Sequence, residues 1–345
     1  MDEKPLISVV VPAYNAGSYL SGCLESLLGQ TYLSFEVILV NDGSTDATAE
    51  LCDRYSAREP RIRVFHQQNA GVSATRNRAI GYAKGDYLTF VDSDDRVGEV
   101  YLENLVNGIV PEGGRGVVVG GLQTVYPDGS RLVTEVPGRE YTNREFDCLF
   151  TEVNLHHYWY AASKLYDLSL IREKELLFDE QLNYAEDALF LMNYLKWADY
   201  VNFIPSHDYE YIQHEGVSLS RSNRSFTVEF TVYGKMKGYL NELKRKYPGL
   251  KESVSYMYDE ISIYLIRALP AMYRPPLVMG RRERLKIIEN LTEEDFKLLG
   301  VNYRPLRVVD KLGKVLLLNR WLVCYDWYMS LLFNLRYKVL SKLRK

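Results

Sequence analysis

The apolar residues of the first hundred positions fall into short runs, each closed by a polar cluster. Leu6 to Val11 is almost unbroken in its apolar character and lies between Pro5 and Pro12. Such a run predicts a strand buried on both faces, as in parallel sheets. Phe35 to Val40, Ile62 to Phe65 and Tyr87 to Val91 predict three more strands. Between them the apolar residues recur at helical spacing. Leu20, Leu24, Leu27 and Leu28 mark a helix over 18–28, and Ala49, Leu51, Cys52 and Tyr55 mark one after Asp46. Val72, Ala79 and Ala83 mark the inner face of a third, over 72–83. The order βαβαβαβ with short connections implies an open, mostly parallel α/β sheet with helices on both faces.

Ligands of such sheets bind beyond the carboxyl ends of the strands. Polar clusters stand at three of those ends: Tyr14-Asn15, Asp42 to Asp46, and Asp92-Ser93-Asp94-Asp95. The last puts three carboxylates within four residues, where they repel one another. A hard divalent cation with oxygen ligands removes that cost, and a nucleotide diphosphate supplies further oxygens. Taken alone, the stretch fits a solvated acidic turn capping a helix equally well. No Gly-x-Gly-x-x-Gly or Gly-x4-Gly-Lys-Ser/Thr follows the first strand, so dehydrogenase and ATPase readings lose ground.

Further along, Val97, Tyr101 and Leu105 predict a helix over 97–109, and Gly116 to Gly120 a strand. Val125 to Ser130 reads as a hairpin turn. Ala185-Glu186-Asp187-Ala188 opens another helix, where two carboxylates at the start also complement the helix dipole. Tyr209 and Tyr211 alternate as on a strand. Helical spacing then covers 226–246, 253–269, 281–289 and 293–299, with breaks at Pro270, Pro275 and Pro276. Residues 315–343 read as one long helix, with Asn319, Asp326, Ser330, Asn334 and Lys338 close to a single polar stripe.

Length and composition narrow the class. The 345 residues are enough for two domains, or for one domain with an extension, and 47% apolar with 25% charged residues is ordinary for a soluble globular chain. The 28 tyrosines suit core margins and sugar-binding surfaces. A net charge of −3 gives no global field for nucleic acid. The tail is different: residues 311–345 hold eight Lys or Arg and one Asp, a local +7 that leaves −10 on the rest. Cys23, Cys52, Cys148 and Cys324 are widely spaced, which predicts neither a zinc site nor a disulfide framework and suits a reducing compartment. The first residues lack the pattern of a secretion signal, and no long stretch is free of charge.

Four motifs carry a resemblance: Val-Val-Val-Pro-Ala-Tyr-Asn at 9–15, Val-Asn-Asp-Gly-Ser-Thr-Asp at 40–46, Asn-Ala-Gly-Val-Ser-Ala-Thr-Arg-Asn at 69–77 and Phe-Val-Asp-Ser-Asp-Asp at 90–95. In this order and spacing the chain resembles the family 2 glycosyltransferases, which have the GT-A fold. The match is close over about the first hundred residues. It continues more weakly through Ser-Lys-Leu-Tyr at 163–166 and the segment 178–190.

The resemblance implies a nucleotide-sugar donor, usually a UDP-sugar, and transfer of a hexosyl or N-acetylhexosaminyl group with inversion. It implies Mn2+ or Mg2+ as cofactor. Pro12, Tyr14 and Asn15 would border the donor, with Tyr14 against the base and Asp42 hydrogen-bonded to it. Asp46 either joins them or simply favours its helix dipole. Arg76 would lie near the donor and the acidic motif, with Asn77 bracing the backbone. Asp92 would reach the ribose or metal, Ser93 would line the donor site, Asp94 would bind the metal, and Asp95 would orient the loop. Asp187 would be the base and Glu186 its supporting group. His214, ahead of Ser218, Ser220 and Arg221, would close over the diphosphate as a further metal ligand, or be a structural histidine. Lys164 reads as a surface lysine rather than a phosphate contact.

The expected organisation is a catalytic domain at 1–222, a helical extension at 223–310 and a basic amphipathic helix at 311–345. That last helix would lie on an anionic membrane surface or pack against protein. The expected setting is the cytoplasmic face of the cell membrane. The acceptor would be a glycan or a lipid-linked sugar in surface polysaccharide synthesis. Two other readings stay open: a silent nucleotide-sugar-binding scaffold, and a sugar nucleotidyltransferase. The second would usually carry a Gly-rich basic loop where this chain has Pro12-Ala13-Tyr14-Asn15.

Overall fold

The computed structural model describes residues 4–214, 224–251, 255–275 and 278–343. The chain forms two compact units, Met1–Val217 and Ser218–Lys345. The second therefore holds both the expected helical extension and the expected basic helix. The expected boundary at 222/223, together with Ser218, Ser220, Arg221 and Pro276, lies outside the described residues.

The first unit begins with the expected alternation. Its elements are β1 (Ile7–Ala13), α1 (Leu20–Leu28), β2 (Phe35–Asp42), α2 (Thr48–Arg58), β3 (Ile62–Gln67), α3 (Val72–Tyr82) and β4 (Tyr87–Phe90). Next come β5 (Arg96–Val97), α4 (Tyr101–Asn107), β6 (Gly116–Val119), β7 (Leu122–Val125), β8 (Arg131–Val133), β9 (Glu140–Thr142) and α5 (Phe146–Glu152). The unit ends with β10 (Lys164–Asp167), α6 (Leu168–Glu173), α7 (Glu186–Leu195), β11 (Tyr200–Phe203) and β12 (Tyr209–Ile212).

One sheet has the order β3-β2-β1-β4-β10-β6-β11-β9. Its β3, β2, β1 and β4 pair in parallel, and β11 pairs in parallel with β6. β10 runs against β4 and β6, and β9 against β11. A smaller sheet has the order β5-β12-β7-β8 and includes the expected hairpin, β7 against β8. Every residue of β1 and β2 is buried, as their unbroken apolar runs require. Val9, Val11, Val37 and Leu39 pack with Leu20, Leu24 and Leu27 of α1 in one core.

Several elements differ from the pattern. β2 runs past Val40 because Asn41 and Asp42 stay in register with His66 and Gln67, and their side chains bond across the pair. Val97 lies on β5 rather than on a helix, since Arg96 and Val97 pair with Glu210 and Tyr209. Val97, Tyr101 and Leu105 are all buried, so spacing of four identified the core but not the element. On α3 the buried set is Ser73, Thr75, Arg76, Ala79 and Ile80, a more polar face than Val72, Ala79 and Ala83 suggested.

The second unit holds α8 (Phe226–Lys246), α9 (Ser255–Ala271), α10 (Arg281–Glu289), α11 (Glu293–Asn302), α12 (Val308–Leu318) and α13 (Leu322–Leu343). Pro270 does not end α9 but sits in its last turn. The long helix expected over 315–343 is broken. The Trp321 N–H donates to the Leu316 carbonyl, the Arg320 N–H donates to that of Leu317, and Arg320 has φ 62°. That is a Schellman stop, made without the usual glycine.

A polar network lies at the amino end of the first strands. Glu36 accepts from Ser8 Oγ at 2.8 Å, from Arg63 Nη1 at 2.7 Å and from the Lys84 N–H at 2.6 Å. Burial pushes the Glu36 carboxyl up, but these partners outweigh it and hold the pKa below 4.5. Removing the carboxylate strands three donors, so Glu36→Ala should cost about 3 kcal/mol in urea unfolding at pH 7. Because the folded pKa is depressed, this contribution is complete above the unfolded carboxylate range. It disappears as pH falls through the lowered value, so the deficit of the variant should shrink below about pH 4.

Candidate active site

The carboxyl ends of β1, β2 and β4 bring the polar clusters together, and side chains tie each cluster to the next. Pro12 is buried within β1, and Tyr14 follows with 53% of its surface exposed. Asn15, at φ 49°, accepts from the Thr45 N–H at 2.8 Å, and its own N–H donates to Ser44 Oγ at 3.0 Å. These bonds join the loop after β1 to the loop after β2. Asp46 accepts from the Gly17 N–H at 2.9 Å and from Thr48 Oγ1 at 2.5 Å, which holds its carboxyl below the ordinary range. It is a brace for the start of α2.

Asp42 is buried at the end of β2. Its Oδ1 accepts from Gln67 Nε2 at 2.7 Å and from the Ala70 N–H at 2.8 Å, and its Oδ2 accepts from the Gly71 N–H at 2.9 Å. The carboxylate therefore fixes the loop that leads into α3. Gly43 has to be glycine: its φ is 66°, and a Cβ would sit 2.6 Å from the Asn69 nitrogen.

α3 then delivers Arg76, which is only 4% exposed. Its Nη1 donates to Asp187 Oδ1 at 2.6 Å and lies 3.8 Å from Glu186 Oε1, while its Nη2 donates to Asp92 Oδ1 at 2.9 Å. Phe178 and Phe90 lie beside the guanidinium, with centroids at 5.3 and 5.9 Å. Burial lowers the pKa of Arg76, but Asp187, Asp92 and Glu186 outweigh it, so the group stays charged. Its Nε is buried without a hydrogen-bond partner among the described residues. Next to it on α3, Asn77 exchanges hydrogen bonds with the Phe178 backbone at 2.8 and 2.9 Å, the bracing role expected of it.

The carboxylates outnumber this cation. Asp187 Oδ2 accepts from the Ala161 N–H at 3.1 Å, and the pKa of Asp187 is raised, chiefly by burial. Burial and the neighbouring Asp187 raise Glu186 to about 7. Both sit at the start of α7 behind Ala185, a non-glycine residue at φ 60°. Asn15, Ser163 and Ala185, all at positive φ, belong to the loops around this cluster. Each costs on the order of 1–2 kcal/mol of strain, a signature of functional loops.

The acidic loop after β4 is held by residues that the motif reading missed. The Asp92 N–H donates to Tyr209 Oη at 3.1 Å, and Tyr209 donates to Asp95 Oδ2 at 2.7 Å. Asp95 Oδ1 accepts from the Ile212 N–H at 2.9 Å. Asp95 thus orients the loop, with Ser93 buried beside it. Burial and Asp92 raise the pKa of Asp94, which faces His214 Nε2 at 3.9 Å. The His214 ring lies 4.0 Å from the Tyr19 ring. The alternation of Tyr209 and Tyr211 was legible as a strand, but nothing in it pointed to Asp95.

Lys164 corrects the surface reading. It is fully buried, and its Nζ donates to the carbonyls of Tyr160 at 2.5 Å and Ala162 at 3.2 Å. Burial pulls its pKa down to about 7 against the attraction of Asp187. Backbone carbonyls close over the ammonium, which therefore supports the Ala161 loop that contacts Asp187.

Among the described residues no group of three or more His, Cys, Asp or Glu is arranged to hold a metal by itself. Asp94 and His214 supply two donors, and Asp92 Oδ1 is engaged by Arg76. That set fits a divalent ion that takes its remaining oxygens from a diphosphate and water, as Mg2+-type sites do.

The class follows from sheet and rim together. Residues 8–162, just under half of the chain, match the model of glycosyl transferase family 2, and the first unit has the GT-A fold. It is similar to the uncharacterized glycosyltransferase EpsJ of Bacillus subtilis, 36% identical over 213 residues that make up 60% of this chain and 61% of EpsJ. It is 31% identical over 244 residues to the poly(ribitol-phosphate) beta-glucosyltransferase of Bacillus spizizenii, across 69% of this chain and 37% of that one. The chain thus spans less than two thirds of either relative. In fold it matches S. aureus TarS 1–349 in complex with UDP-GlcNAc, with TM-score 0.64 and 22% identity over 96% of this chain and 91% of that one.

Replacing Arg76 with Met keeps the bulk and leaves Asp187 and Asp92 unpaired. Arg76→Met should lose about 3–5 kcal/mol in urea unfolding at pH 8. The loss should be smaller at pH 5.5, where the freed carboxyls take up protons. Equal losses at both pH values would mean that the guanidinium acts by packing alone.

Proposed function

We propose that the chain transfers a hexosyl or N-acetylhexosaminyl group from a UDP-sugar to a hydroxyl of a glycan or lipid-linked acceptor, with inversion. The observation that carries this reading is the carboxylate excess around buried Arg76, at the ligand-binding edge of a family 2 sheet. The TarS fragment of the same fold binds UDP-GlcNAc, which supports a uridine donor. The glucosyltransferase relative acts on a poly(ribitol-phosphate), which supports a polymer acceptor at the cell surface.

In this mechanism Tyr14 stacks on the base, and Pro12, Asn15 and Asp42 shape the pocket that receives it. Asp42 acts through the loop it fixes, which starts α3 and places Arg76. Arg76 holds Asp187 and Asp92 in one frame. Each oxygen of Asp187 has one bond to the protein and retains a lone pair. Asp187 takes the proton of the acceptor hydroxyl. The acceptor oxygen forms its bond to the anomeric carbon on the face opposite the diphosphate. The bond from that carbon to the diphosphate oxygen breaks, and UDP leaves with the electron pair. Glu186 lines the acceptor side and helps set the proton affinity of Asp187. Asp94, with His214 and Asp92, would hold Mn2+ or Mg2+, which as a Lewis acid offsets charge on the departing diphosphate. The acceptor would be met at the inner face of the cell membrane, where a lipid-linked sugar is presented.

Two measurements test the reading. With UDP-sugar, acceptor and Mn2+, the chain should release UDP, and Asp94→Ala should cut the rate by about a hundredfold or more. Asp187→Asn should lose about a thousandfold in kcat while still binding UDP, since only proton transfer is removed. UDP binding without turnover across donors and acceptors would instead favour a silent scaffold.

The pH profile gives the second. A base must be ionised to act, so the rate should rise with pH through an acid limb set by the Glu186–Asp187 pair near pH 7. Glu186→Gln removes the group raised to about 7 and should move the limb to lower pH. A limb that does not move would remove Glu186 from the titration.

A further inference from the structure

The last two helices of the second unit leave an apolar stripe on their outer side. Of the expected polar stripe, Asp326 and Ser330 on α13 point into the unit, whereas Asn319 and Asn334 are exposed. Asp326, 1% exposed, accepts from Arg284 Nε at 2.7 Å and from Tyr273 Oη at 3.0 Å. Ser330 Oγ accepts from Arg284 Nη2 at 2.9 Å. Tyr325, Met329 and Phe333 are buried on the same side. The solvent side carries Val323, Trp327, Leu331 and Leu335, a stripe at i, i+4, i+8 and i+12 in which Trp327 is 65% exposed, with Cys324 and Asn334 exposed beside it. α12 repeats the pattern with Val308, Leu312 and Val315 exposed. The two helices form one hairpin: a Cβ on Gly313 would lie 3.3 Å from Met329 Sδ, Tyr328 Oη donates to the Val309 carbonyl, and Arg336 pairs with Asp310. Trp321 stands exposed at its bend.

The charges around this surface are mostly cationic, the exposed Glu293 being paired with Arg320 at 2.7 Å. From residue 304 to the end of the chain the acids are Asp310 and Asp326, both committed to ion pairs within the unit. Arg304, Arg307, Lys311 and Arg320 are exposed on or beside the hairpin. No helix among the described residues is long and apolar enough to cross a membrane. An apolar stripe with cations and tryptophans at its margins matches the boundary between headgroups and acyl chains. A second copy of the same face would set its cations against these.

We propose that the α12–α13 hairpin docks in the plane of an anionic lipid bilayer. The Val323, Trp327, Leu331 and Leu335 stripe enters the acyl boundary, and Arg304, Arg307 and Lys311 lie among the lipid phosphates. This deepens the proposed function at an inner membrane face and rests on it for its purpose. Docking is nonetheless read without donor or acceptor, so its failure leaves sugar transfer untouched, and a chain without transferase activity can still dock.

The test is sedimentation of the full chain with phosphatidylcholine vesicles that contain or lack phosphatidylglycerol. The chain should pellet with the anionic vesicles at low salt, with a blue shift of its tryptophan emission, and should stay in solution with the neutral ones. The double variant Trp327→Ser/Leu331→Ser changes exposed positions only and should keep its circular dichroism. It should lose about tenfold or more in vesicle affinity. Arg307→Glu/Lys311→Glu should weaken binding in the same direction and flatten its salt dependence. Two results overturn the proposal. One is no pelleting with anionic vesicles at low salt. The other is a lipid-free dimer, by light scattering, that the Trp327/Leu331 double variant converts to monomer, for then the face belongs to a second copy.

Discussion

The site depends on one buried guanidinium. Arg76 is nearly sealed from water, and an isolated charge there would be too costly to keep. It is kept because Asp92 and Asp187, which lie 95 residues apart in sequence, meet on it. The acidic loop after β4 and the start of α7 share no other described hydrogen bond through these two side chains. Arg76 is therefore the fixed point from which the geometry of both is measured. Asp42 gains its importance in the same way, because the loop it grips is the one that begins α3.

Around that point charge and strain work together. Burial, and after it the neighbouring carboxylates, raises Glu186, Asp187 and Asp94 above their ordinary ranges. A site in this condition has a high affinity for positive charge and for protons. Both are useful where a diphosphate departs and a hydroxyl loses its proton. The positive backbone angles of Asn15, Ser163 and Ala185 hold the loops in positions that relaxed chains avoid. The polar network of Ser8, Glu36 and Arg63 closes the other end of the same strands.

The second unit follows a different logic. Its helices satisfy their polar groups inward, through Asp326 with Arg284 and through Asp295, which accepts from Lys237 and Tyr233. Such pairs fix which face of a helix points inward more strictly than apolar packing does. In α13 they leave leucine, valine and tryptophan on the outside.

The sequence by itself determined the alternation of β1 to β4 with their helices, and the convergence of Tyr14, Asp42 and Asp94 on one edge. Unbroken apolar runs specify strands buried on both faces, and the parallel topology then puts the strand ends on one side. The Glu186–Asp187 pair was legible only through the motif it resembles, since two acids at a helix start have an ordinary electrostatic reason to be there. Tertiary structure alone decided that Val97 joins a strand, that Lys164 is buried, that Tyr209 holds Asp95, and that Asp326 faces inward. Apart from Lys164, whose carbonyl partners are local, each of these rests on a partner distant in sequence: Glu210 and Tyr209 for β5, Tyr209 and Ile212 for Asp95, Arg284 for Asp326. Periodicity reports which residues share a face. Only the fold supplies the partner that makes a polar face the inner one.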